Sequence, residues 1–165
     1  MFQPKPISKD SIPVALEKAE RYRLLNEPWL AESICFDILE ADPQNMRAVI
    51  ILLLAITDQF HTSSMAEVNK AKQLLSRLSD EYEKQYYSGI ICERQAKSTL
   101  TKNIPDGGFK AYELLRDAME YYEKAETLRQ PGNDDAILRW NTCVRLITRH
   151  RLEPRNEKHM EQPLE

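Results

Sequence analysis

Tyr122-Glu123-Lys124-Ala125-Glu126-Thr127-Leu128-Arg129-Gln130-Pro131-Gly132-Asn133 closes a helix, and the way it closes decides the fold. Ala118 stands four residues before Tyr122, so a small and a large residue share one helical face. The face runs out at Pro131, and Asn133 completes the turn. A fainter copy lies at 31–45, where Ala31 precedes Cys35 and Pro43 precedes Asn45. Proline disfavours helical geometry in the residue before it, so both prolines mark helix ends. Recurrence of one helix-end pattern points to stacked helical hairpins, an architecture that builds binding surfaces more often than active sites.

The rest of the chain divides into helices at the same kind of punctuation. A first helix is expected from Ser11, with Pro13 in its first turn and Ile12, Ala15, Leu16, Ala19 and Tyr22 on its inner face. Asn26 and Pro28 start a second, which buries Leu30, Ala31, Ile34, Cys35 and Ile38. The third, 46–59, contains the apolar run Val49-Ile50-Ile51-Leu52-Leu53-Leu54-Ala55-Ile56. Those 8 residues fall far short of the roughly 20 that cross a bilayer, so the run reads as a buried central helix. Ser64 and Glu67 have the spacing of a capping box for a fourth helix through Val68, Ala71, Leu75 and Leu78. A fifth is expected over 80–99, a sixth up to Arg129 and a seventh over 134–149, separated by 103–108 and 130–133. On the seventh, Trp140 is expected in the core. Residues 1–10 read as a flexible N-terminus and 150–165 as a polar, disordered tail.

Composition agrees with helices and narrows the function. The 4 glycines are too few for a turn-rich sheet, and 165 residues with 42% hydrophobic content suffice for one domain with a single core. A net charge of −3 gives no general attraction for nucleic acid or anionic lipid. The N-terminus lacks the apolar stretch of a signal peptide, and three scattered cysteines make no disulfide framework. Together these lead to the expectation of a soluble, cytoplasmic protein without membrane insertion.

Paired helices of this kind resemble the tetratricopeptide repeat, a 34-residue unit with a W-x2-L-G-x2-Y stretch, then A-x3-F, then P. Ile12 to Asn45 is 34 residues long; it carries Ala19 and Tyr22 in the first helix and Ala31, Cys35 and Pro43 in the second, with Ala15 where Trp is usual. Gly89, Ala118, Tyr122, Ala125 and Pro131 fill the corresponding places of a later unit. Pro43 and Pro131 are 88 residues apart, which is two units and 20 residues more, assigned mostly to 98–108. The resemblance implies an all-α, right-handed solenoid of helical hairpins. Its repeats would be 12–45, 46–81 and 82–133, with 134–149 as a capping helix.

In that family the first helix of each repeat lines a concave groove. Carried over by position, the groove would comprise Leu16, Glu20 and Arg23, then Arg47, Ile50, Leu54 and Asp58, then Glu83, Tyr86, Ile90 and Arg94, extended by Leu138, Thr142 and Arg145. An apolar floor with charged edges suits a peptide or partner helix. The alternative reading places Ile50, Leu54 and Tyr86 in the core. The family's carboxylate-gripping site is not reproduced, because Leu16 and Glu20 stand at places it fills with Lys and Asn.

Catalysis finds little support. His61, His150 and His159 have no nucleophile or carboxylate arranged around them, and Cys35, Cys92 and Cys143 lie on apolar helical faces without metal-ligand spacing. Asp106-Gly107-Gly108 lacks the Gly-Lys-Ser/Thr of a phosphate loop. Arg145, Arg149, His150, Arg151 and Arg155 complement a helix C-terminus. The expectation is a non-enzymatic adaptor or co-chaperone-like protein with no metal or cofactor, binding a protein or peptide. The rival is an assembly subunit that forms homo-oligomers through its helical surfaces.

Overall fold

A computed structural model describes residues 1–62 and 65–155, and among these the secondary structure is wholly helical, with no strand. A 3-10 turn (Lys9–Ser11) leads into α1 (Ile12–Leu24), α2 (Pro28–Ala41), α3 (Met46–Asp58), α4 (Met65–Leu75), α5 (Glu81–Thr101), α6 (Gly107–Leu128) and α7 (Asp135–His150). Apart from α4, which ends at Leu75 rather than continuing through Leu78, each helix begins and ends within about two residues of its expected place where that place is described. Ser64, the expected cap of α4, lies outside the described residues. The chain divides into two compact units, Met1–Asp80 and Glu81–Glu165.

In the first unit α1 packs on α2, α2 on α3, α3 on α4, and α1 also on α3. The apolar run makes α3 its centre: Ala48, Val49, Ile51, Leu52, Leu53, Ala55, Ile56 and Thr57 are all buried. Ala19 and Ala31 are fully buried, which lets the helices around them approach closely. The turn into α3 is held by side chains. Asp42 accepts from the Gln44 N–H (3.3 Å) and the Asn45 amide (3.1 Å), and Asn45 caps α3 by accepting from the Ala48 N–H at 3.0 Å. Arg77, just past α4, donates to the Pro43 carbonyl at 2.6 Å. Tyr22, expected inside, is 36% exposed, because α1 buries only the narrower stripe Ile12, Leu16 and Ala19.

In the second unit α5 and α6 form a long hairpin and α7 packs on α6. Helices α5 and α6 are long, with 21 and 22 residues against 13 and 14 in α1 and α2, and the loop expected at 103–108 already gives way to helix at Gly107. At Gly89 the hairpin closes tightly against the Tyr122 ring. A Cβ built there would lie 2.4 Å from Tyr122 Cε1, so no larger residue fits without moving the ring. The turn after α6 uses Gly132 at φ 86°, and Asn133 accepts from the Asp135 N–H at 3.1 Å.

Two expectations for α7 and the residues after it are corrected. Trp140 is half-buried rather than core, and its indole N–H donates to Glu123 at 3.0 Å; Ala136 and Cys143 are the buried residues of this helix. His150 belongs to α7, and residues 151–155 turn back toward the start of α6, where Arg155 pairs with Asp106 and lies over the Phe109 ring. The rest of the expected tail, 156–165, lies outside the described residues.

Candidate functional site

Apart from Leu16, the groove residues expected on α1 and α3 come together on one face of the first unit. Glu20 and Arg23 on α1 meet Arg47 and Asp58 on α3 through two ion pairs. Arg23 Nε donates to Asp58 at 2.7 Å with both side chains about a fifth exposed, and Arg47 donates to Glu20 at 2.6 Å in a more open setting. On α3 the positions 47, 50, 54 and 58 recur at intervals of three and four, so they form one stripe. Ile50 and Leu54 are half-buried in the middle of that stripe, between the two charged ends. Leu16 is buried and contributes to the core of the unit.

The second unit places its share of the set differently. Ile90 is buried, while Glu83, Tyr86 and Arg94 are half-buried along α5. Tyr86 sits at the centre of an aromatic cluster: it stacks on Tyr82 at 5.8 Å, meets Tyr87 edge-on at 5.2 Å and tilts against Tyr122 at 5.9 Å. Such ring pairs add about 0.5–1.5 kcal/mol each beyond simple burial. On α7, Leu138 and Arg145 are exposed and Thr142 is half-buried, with its hydroxyl donating to the Leu138 carbonyl.

Beneath Tyr86 lies a group that the periodicity did not single out. Glu93 is 0% exposed, and its carboxyl group accepts from the Tyr122 hydroxyl at 2.8 Å, Lys97 at 2.5 Å and Arg139 at 3.4 Å. One buried acid therefore ties together α5, α6 and α7, and both cations reach solvent at their outer ends. Burial, followed by the charge of Glu93 and the hydrogen bond to it, raises the Tyr122 phenol well above its ordinary value and keeps it a neutral donor. Burial and then Glu93 push the Cys143 thiol up to about 12. A signal for this cluster was present in the sequence: Glu93 falls on the same stripe as Gly89 and Ala96, with Lys97 four residues on.

All three cysteines are buried, and burial with a contribution from Glu32 pushes the Cys35 thiol up to about 12, away from a reactive thiolate. His61 and His150 are exposed, whereas His159 lies outside the described residues. Among the described residues no cluster of three or more His, Cys, Asp or Glu could hold a metal ion, and no helix is long and apolar enough to cross a membrane. A shallow cleft of about 470 Å³ lies at the start of α6, between Ile104–Phe109 and His150–Glu153. No protein-family model matches the chain, and neither the curated proteins nor the solved structures contain a significant match to it.

Proposed function

We propose that this chain is a non-enzymatic protein-binding module, an adaptor or co-chaperone-like protein of the cytoplasm. Its primary groove would be the α1–α3 face of the first unit. The observation that carries this reading is the stripe Arg47, Ile50, Leu54 and Asp58, with ion pairs to α1 at both ends and two half-buried aliphatic side chains between them. Fixed charges at the ends of an apolar strip orient an extended or helical segment, while the strip supplies the contact area. Tyr86, with Glu83 and Arg94 on the same helix, forms the corresponding face of the second unit. The order of hairpins supports reading α1–α2, α3–α4 and α5–α6 as three tetratricopeptide-like repeats, with α7 as the cap.

Ile50→Glu tests this reading, because a charge at a half-buried surface position leaves the helices formed while removing the apolar strip. Tagged wild-type and variant chains are used to recover partners from native lysate, with helicity compared by circular dichroism. Loss of specific partners at unchanged helicity supports the groove. Unchanged recovery, or loss of recovery together with helicity, rejects it as the cause.

A further inference from the structure

The outer face of α2 carries large apolar groups that its own unit leaves uncovered. Trp29 is 67% exposed and Phe36 is 53% exposed, although α2 buries Ala31, Cys35 and Ile38 normally. Trp29, Ser33, Phe36 and Glu40 recur at intervals of four, three and four, and all four are exposed, so they form a single stripe. The two aromatics stand seven residues apart, roughly 10.5 Å along the helix axis. Leu25, in the turn before α2, is also exposed.

The charge carried by α2 and the turns at its two ends has one sign. Residues 24–46 contain Glu27, Glu32, Asp37, Glu40 and Asp42 and no Lys, Arg or His. Glu32 is taken up by the Gln59 amide and Asp42 by the turn into α3. Among the described residues no cation pairs with Glu27, Asp37 or Glu40. An acidic rim of this kind repels anionic lipid and nucleic acid. It also disfavours a symmetric pairing of α2 with α2 from a second copy, which would set carboxylates against one another. Cationic side chains, in contrast, are attracted both by the rim and by the faces of Trp29 and Phe36.

We propose that the outer face of α2 is a docking surface, separate from the α1–α3 groove, for a basic amphipathic helix of a partner protein. Apolar side chains spaced two turns apart on that helix pack on Trp29 and Phe36, and flanking Lys or Arg residues meet Glu27, Asp37 and Glu40. The partner thus needs both an apolar stripe and a positive charge.

The test uses the full chain carrying Trp140→Phe, so that Trp29 alone reports by fluorescence. The probe is a synthetic amphipathic helix of Leu and Lys, and its control replaces every Lys with Glu. The expected result is a saturable blue shift of Trp29 with the Lys peptide only, weakened by added salt. Phe36→Ser weakens binding about ten-fold, as expected for loss of an aromatic anchor. The triple variant Glu27→Lys, Asp37→Lys, Glu40→Lys changes only surface charge and transfers the preference to the Glu peptide. Ile50→Glu leaves the titration unchanged, which separates this surface from the groove. The proposal is overturned by equal response to both peptides or by titrations indifferent to the charge-reversed variant. It is also overturned by a blue shift that appears with protein concentration alone together with a dimer in sedimentation equilibrium, since that assigns the face to a second copy.

Discussion

Two helices, α3 in the first unit and α5 in the second, are buried by opposite means. In the first, α3 is closed off by Val49, Ile51, Leu52, Leu53 and Ile56, with Thr57 as its one buried polar side chain, its hydroxyl donating to the Leu54 carbonyl at 2.9 Å. In the second, α5 buries a carboxyl group, a glycine and a serine beside Ile90 and Ile91, and draws in a tyrosine from α6 and an arginine from α7. An aliphatic core is non-directional: many side chains of the right volume will fill it. A buried acid is directional, because its lone pairs must be met at definite distances. Arg139 reaches Glu93 only when α7 is rotated so that this residue faces α5. The first unit therefore gains mostly from volume, whereas the second also specifies how its helices are turned.

The largest effect expected from this difference is in the first unit. Leu53 is fully buried, so Leu53→Ala leaves a cavity as well as losing transfer energy. The cost should be about 2–5 kcal/mol, read from urea denaturation followed by circular dichroism. Leu53→Met, which keeps the volume, should cost less than about 1.5 kcal/mol. Equal losses in the two variants would contradict a core governed by volume.

Gly89 offers the matching probe of the second unit. Gly89→Ala introduces a Cβ within 2.4 Å of the Tyr122 ring, whose hydroxyl is anchored on Glu93 and whose side chain is 1% exposed. Because the ring is held at its far end, it cannot swing away freely. We expect a loss of about 1–3 kcal/mol despite the better helix propensity of alanine. The double variant Gly89→Ala, Tyr122→Leu tests the cause: if the ring is the obstacle, the two changes are less harmful together than their sum. Additive losses would place the strain elsewhere.

The sequence made these features legible to different degrees, for physical reasons. The α3 run and the Asp42–Asn45 turn are local: eight consecutive apolar residues and a proline between polar side chains leave few other structures. Gly89 was legible because a glycine amid helical spacing implies close approach. The groove was only partly so, since spacing locates a stripe but not its buried width; Leu16 and Ile90 lie one step deeper than expected. Trp140 misled for a related reason, because a large aromatic on a helical stripe reads as core, while α7 is covered along the narrower line of Ala136 and Cys143. Glu93 was obscured by its chemistry: a carboxylate beside Arg94 and before Lys97 reads as solvated surface. Only the juxtaposition with Tyr122 and Arg139, 29 and 46 residues away, turns it inward.

The smallest effect isolates that juxtaposition through pH. Tyr122→Phe keeps the ring and removes one hydrogen bond to Glu93, a loss of about 1 kcal/mol at neutral pH. In the folded protein the Tyr122 phenol is held above its ordinary value of 10.0, first by burial and then by Glu93. The neutral phenol is therefore favoured by folding. Its contribution is fully present below the unfolded value and is lost as pH rises beyond it, because the unfolded chain releases the proton that the folded chain retains. The urea midpoints of wild type and Tyr122→Phe should thus differ most below about pH 10 and converge above it. Tyr82 and Tyr121, whose phenols are also raised, are present in both proteins and cancel in the difference. A gap that stayed constant to high pH would mean that the folded chain releases the Tyr122 proton as readily as the unfolded one, so that neither burial nor Glu93 holds the phenol, and the contrast between a volume-filled and a hydrogen-bonded core would then rest on Lys97 and Arg139.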